Sequence, residues 1–126
     1  MTVDNVNNLN TAPGSMRTEL PPSELVAQIC DRAAQILEED GWCQHTEHDD
    51  SGAHCAYGAI DSALERYPEV LSPSVAGWIR MKIASQAKRK LTSNMINWND
   101  TPGREAHEVI DLFKGLAKDL RNEATP

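Results

Sequence analysis

The sequence predicts an all-α protein, a compact four-helix orthogonal bundle, and three observations carry that expectation. Apolar residues recur at three- and four-residue spacing in four separate stretches, each wide enough to supply one buried face. Each stretch is bracketed by helix start or stop residues: Ser-Pro, Thr-Pro, Gly or Pro. Charged residues are 25 % and hydrophobic ones 40 % of the chain, the balance of a soluble globule whose amphipathic helices bury their faces against one another.

Residues 1–20 are rich in Asn, Thr, Pro and Gly and cannot bury enough apolar surface to offset ordering, so a flexible arm is expected ahead of a single helical domain over 21–126. The first helix opens at Ser23, a hydroxyl residue behind two prolines, and Glu24 suits its first turn. Leu25, Ile29, Ala33, Ile36 and Leu37 share one face, and Gly41 supplies the stop. In the second, Cys55, Ala59, Ile60, Ala63, Leu64 and Tyr67 share a face and Pro68 ends it. Ser72 before Pro73 starts the third, with Val75, Trp78, Ile79, Ile83, Ala87 and Leu91 as its stripe. Thr101 before Pro102 is expected to cap the fourth, where Ala106, Val109, Ile110, Phe113, Leu116, Ala117 and Leu120 repeat without a misfit. The Asp-Asp-Ser-Gly turn between the first two helices also allows a short β-hairpin.

A chain of 126 residues suits one domain, long enough for a self-sufficient core. Its net charge of −7 argues against non-specific attraction to nucleic acid or anionic membrane. No apolar run approaches the roughly 20 residues that span a bilayer. The start lacks the basic segment and apolar stretch of a secretory signal, and three cysteines without framework spacing suit a reducing compartment. A cytoplasmic protein without membrane contact is expected.

The stretch GWCQHTEHDDSGAHC, residues 41–55, gathers two of the three cysteines and three of the four histidines. Cys43, His45, His48, His54 and Cys55 are all zinc-ligand types, but the spacing offers no two short pairs and adjacent residues rarely face one ion. A solvated turn is expected, with Cys43, His45 and His48 the nearest thing to a ligand set and no metal or other cofactor assigned. Glu47, Asp49, Ser51 and Gly52 mimic the first half of an EF-hand loop, yet its twelfth position would be Gly58 instead of Glu. A thiol enzyme would pair Cys43 with His45, or Cys55 with His107. Six acids and no Lys or Arg lie between 38 and 50, a field that raises thiol pKa, so no catalytic residue is assigned. His107 and Asp111 lie four residues apart but lack the second His of a zincin motif.

Trp98-Asn99-Asp100-Thr101-Pro102-Gly103 reads as a turn, with Trp98 filling the gap between helices. Asn99 and Asp100 could instead face a ligand. Residues 70–99 hold five bases (Arg80, Lys82, Lys88, Arg89 and Lys90) and no acid. Such a helix could track phosphates, or face the acidic 38–50 segment of the same chain.

Three stretches together, GWCQ (41–44), GAHCAYGAI (52–60) and INWNDTPGREAHEVI (96–110), resemble a family of small uncharacterised proteins from actinobacteria and their phages, over roughly residues 25–118. The resemblance implies a setting and no mechanism. Many members have Gly where His45 stands, which implies that a role for His45 is not family-wide. The expected function is a non-enzymatic protein–protein interaction module, phage or prophage encoded, acting on a bacterial host protein. The alternative is a nucleic-acid-associated protein using the basic third helix, with a metal-dependent or thiol enzyme third. Interaction candidates are Arg80, Lys82, Lys88, Arg89, Lys90, Asn99 and Asp100.

Overall fold

Five helices account for most of residues 23–66 and 72–124, which the computed structural model describes. They are α1 (Ser23–Asp40), α2 (Ala56–Glu65), α3 (Pro73–Lys90), α4 (Met95–Asn99) and α5 (Ala106–Ala124). The all-α class expected from the sequence is observed, and α4 is an addition to the four expected helices. The arm over 1–20, and Tyr67 with Pro68, lie outside the described residues.

Helix α5 packs most extensively on α1. The two run antiparallel, because Arg121 reaches Glu24 and Asp31 in the first half of α1 while Lys114 meets Glu38 near its end. Their facing stripes are the centre of the core. Val26, Ile29, Ile36, Val109, Phe113, Leu116 and Leu120 are fully buried there. Helix α2 adds Ile60, and α3 adds Ile79 and Ile83. Not all of each predicted stripe reaches the interior. Leu25, Val75, Trp78, Leu91 and Ile110 are only partly buried, since they lie at the edges of faces wider than a small core can cover. On α3, Gln86 is buried among them and donates to Glu123 of α5.

Local signals set the helix ends. Ser72 Oγ accepts the Val75 N–H ahead of Pro73. Gly41 takes φ +99°, a left-handed conformation open to glycine, and donates to Leu37 O to close α1. Cys55, expected on the buried stripe of α2, is instead its N-cap, and its Sγ accepts the Gly58 N–H.

The β-hairpin is not formed as a ladder. Isolated bridges join His54 to Trp42 in parallel and to His48 in antiparallel sense, and no strand occurs among the described residues. Asp49 closes the turn on itself, its Oδ1 accepting from the Ser51 N–H, the Ser51 hydroxyl and the Ala53 N–H, which leaves too few residues for further pairs. No helix among the described residues is long and apolar enough to cross a membrane.

Phe113→Ala should lower stability by about 3–5 kcal/mol in chemical denaturation, the range for emptying a buried aromatic site. Met81→Ala, at a side chain 72 % exposed, should stay within about 0.5 kcal/mol of wild type. Equal effects would contradict the assigned core.

Candidate functional site

The three sequence stretches at 41–44, 52–60 and 96–110 meet at one side chain. Asn94 caps α4, its Oδ1 accepting the Asn97 N–H at 2.8 Å. The short helix then delivers Asn99, 1 % exposed, beneath the 41–56 loop. Asn99 Oδ1 accepts from Trp42 Nε1 at 2.7 Å and from the Ala56 N–H at 3.0 Å. Its Nδ2 donates to Cys43 O at 3.2 Å and to Asp100 Oδ1 at 3.0 Å. A carboxamide has two donors and two acceptor positions, and all four are used. Around it, Gln44 Nε2 donates to Asn99 O and Thr101 O, and Asp100 Oδ1 accepts the His45 N–H at 2.9 Å.

The turn after Asn99 departs from its expected roles. Trp98 is partly buried and packs against the edge of the core, with the Arg104 guanidinium 4.1 Å from its ring centroid and Arg104 Nε bonded to its carbonyl. Thr101 does not cap the last helix. Its hydroxyl donates back to Asn97 O at 2.9 Å, and α5 begins later, where Glu108 turns back to accept the Glu105 N–H. The Thr101 hydroxyl is engaged at the end of α4 instead of at the start of α5.

A second cluster lies on the other side of the loop. His54, 8 % exposed, places Nε2 at 2.8 Å from Asp40 Oδ2 and Nδ1 at 2.7 Å from His48 Nδ1. Arg66 approaches the same Asp40 oxygen at 3.6 Å. Gly58 lets these parts close, since a Cβ there would sit 2.2 Å from Glu47 O and 3.1 Å from His48 Cε1. His45 has φ +71°, in the left-handed region that favours glycine.

Beside the Asn99 cluster, a cavity of about 310 Å³ opens to solvent. Ala56, Tyr57 and Ile96 form its apolar walls, while Glu47, Asp100 and His45 stand around it. Ile96 is 54 % exposed, unusual for an isoleucine on a small core.

The three metal-ligand candidates are not gathered. Cys43 Sγ turns to Thr46 O, the His45 ring stands near Asp100, and His48 meets His54. Among the described residues, Glu105, His107 and Glu108 are the grouping of three ligand types within 4.8 Å, and two of the three are exposed. His107 pairs with Glu105 at 3.3 Å. Burial, more than the neighbouring acids, pushes the Cys43 and Cys55 thiols up. Burial likewise pushes Cys30, in the core, up to about 12. The basic residues of α3 do not face the acidic 38–50 segment. Arg80 pairs with Asp61 of α2, Lys82 and Arg89 with Glu123, and Lys90 with Asp119 of α5; Lys88 is exposed.

The class is therefore a small all-α protein whose loop and short helix are locked by one buried asparagine. A model of a family of unknown function, DUF6197, matches residues 21–119, and the chain belongs to that family. No curated protein and no solved structure matches it.

Asn99→Ala should cost roughly 2–4 kcal/mol in thermal or chemical denaturation, because Trp42 Nε1, the Ala56 N–H and Cys43 O lose a buried partner together. Trp98→Ala, at a half-buried ring, should cost less than Asn99→Ala. The reverse order would remove Asn99 from its central place.

Stability should also fall with acid. Hydrogen bonds from His54 to Asp40, from Ser51 to Asp49 and from the His45 N–H to Asp100 hold these carboxyls below the ordinary carboxylate range. Depressed carboxyls stabilise the fold above their unfolded pKa, and that contribution is lost as pH falls through the folded values. Melting temperature followed from neutral pH downward should decline through the carboxylate range, and Asp100→Asn should flatten part of the decline. A flat wild-type profile contradicts this.

Proposed function

We propose that this protein is a non-enzymatic interaction module that docks on a bacterial host protein through the cavity between the 45–47 loop, the start of α2 and α4. The observation that carries the reading is Ile96. It is 54 % exposed at a socket with apolar walls at Ala56 and Tyr57 and carboxylates at Glu47 and Asp100. A socket of this chemistry suits a lysine or arginine anchor, whose apolar stem lies on the wall while its cationic head meets the carboxylates. Burial-raised thiols argue against a nucleophilic enzyme.

The setting belongs to the same reading: a cytoplasmic protein of an actinobacterial phage or prophage, on a four-helix orthogonal scaffold made by α1, α2, α3 and α5. Three unpaired thiols suit a reducing compartment. The alternative, nucleic-acid association through α3, is weakened because ion pairs to α2 and α5 engage Arg80, Lys82, Arg89 and Lys90.

Glu47→Lys with Ile96→Asp should abolish capture of a host protein from actinobacterial lysate while changing stability by less than about 0.5 kcal/mol, as expected for surface positions. Undiminished capture by this variant would sink the docking assignment. Tight duplex-DNA binding by wild type at physiological salt, lost when Lys88, Arg89 and Lys90 become Glu, would favour the alternative.

A further inference from the structure

We propose that His48 and His54 form a binding site for a borderline divalent transition-metal ion, zinc(II) or copper(II), held between their two Nδ1 atoms. The site adjoins the docking socket and shares Glu47 with it, but its two ligands lie outside the socket lining. Its basis is the mutual orientation of two carboxylate–histidine pairs. His54 presents Nε2 to Asp40 at 2.8 Å, and His48 presents Nε2 toward Glu47 at 4.0 Å. The two Nδ1 atoms then face each other at 2.7 Å, with the rings nearly perpendicular. The hydrogen bond between His54 Nε2 and Asp40 fixes the tautomer that leaves His54 Nδ1 free for a metal. Glu47 lies beyond hydrogen-bond reach of His48 and leaves its tautomer free to change. Imidazole suits zinc and copper.

Without an ion, the short contact holds one proton. Asp40 takes the N–H of His54 on Nε2, so His54 Nδ1 accepts and His48 Nδ1 donates. Binding replaces that proton. His48 gives up its proton from Nδ1 and carries one on Nε2, on the side of Glu47. Two nitrogens on a tetrahedral zinc lie about 3.3 Å apart, so the pair must open by roughly 0.6 Å. His48 can give, with its side chain 47 % exposed, while His54 is pinned by Asp40 and by backbone bridges on both sides. Asp40 and Glu47 stand behind the two rings and favour a cation, partly offset by Arg66 at 3.6 Å from Asp40, and water completes the coordination. The Glu105–His107–Glu108 grouping is the weaker candidate, because Arg104 and the Glu105 N–H already occupy the Glu108 carboxylate.

The test is a zinc titration of tag-free, full-length protein, followed by long-range proton–nitrogen correlation of the imidazole rings and by calorimetry. Before zinc, the spectra should show His54 protonated on Nε2 and His48 on Nδ1. Zinc should move the Nδ1 signals of both and convert His48 to the Nε2-protonated form, leaving His45 and His107 unmoved. Asp40→Asn should weaken binding by roughly 10–100-fold, and His48→Ala, at a half-exposed ring, by at least as much. Glu105→Gln with Glu108→Gln should leave affinity unchanged. The proposal is overturned by unmoved rings at saturating zinc, by shifts confined to His45 and His107, or by undiminished affinity in folded His48→Ala.

Discussion

Burying a primary amide is costly unless every donor and acceptor finds a partner, and the Asn99 carboxamide ties together three distant parts of the chain on that condition. Its oxygen takes an indole N–H from Trp42 and the first backbone N–H of α2, while its nitrogen serves the Cys43 carbonyl and the Asp100 carboxylate. Aspartate would set an anion against the Cys43 carbonyl, and leucine would leave three buried groups unpaired. Only a side chain that both donates and accepts closes the set. The path of residues 41–56 and the placing of Asp100 beside His45 follow from it, and with them the socket.

Charge is organised by the helices as much as by the loop. The α1–α5 pair carries Arg121 between Glu24 and Asp31, an arrangement that pushes the Arg121 pKa up and the Glu24 pKa down. Across α3, acids on α2 and α5 engage four of the five bases. These exposed pairs contribute little stability individually. Their larger effect is on the outer field, since these ion pairs screen most of the positive charge of α3.

The 45–58 loop combines two demands. Left-handed backbone at His45, and a Gly58 with no room for a Cβ, let the loop fold tightly onto the first turn of α2. That closeness brings His48 against His54 and places both beside the carboxylates at Asp40 and Glu47. Asp49 stiffens the turn between them by accepting three hydrogen bonds. The loop is therefore built, and its polar groups have fixed partners instead of water alone.

Much of this fold was legible in the chain. Periodicity located α1, α2, α3 and α5, Ser72-Pro73 marked the start of α3, and Gly41 marked the end of α1, because these signals act within a few residues of backbone. The prominence of Trp98-Asn99-Asp100 was legible too, but its roles were exchanged. Trp98 has the greater apolar surface and packs at the edge of the core, yet Asn99 is the more deeply buried residue, since α4 turns it toward the polar groups of a loop more than forty positions away. The partners of the α3 bases were invisible for the same reason, as Asp119 and Glu123 reach them only once α5 has packed. His48 and His54 are six positions apart in a stretch with no periodicity, so their facing nitrogens depend on bridges to Trp42 and on Asp40 at the end of α1. Short-range spacing determined the helices; the polar pairings depend on long-range approach, and only the packed chain decided them.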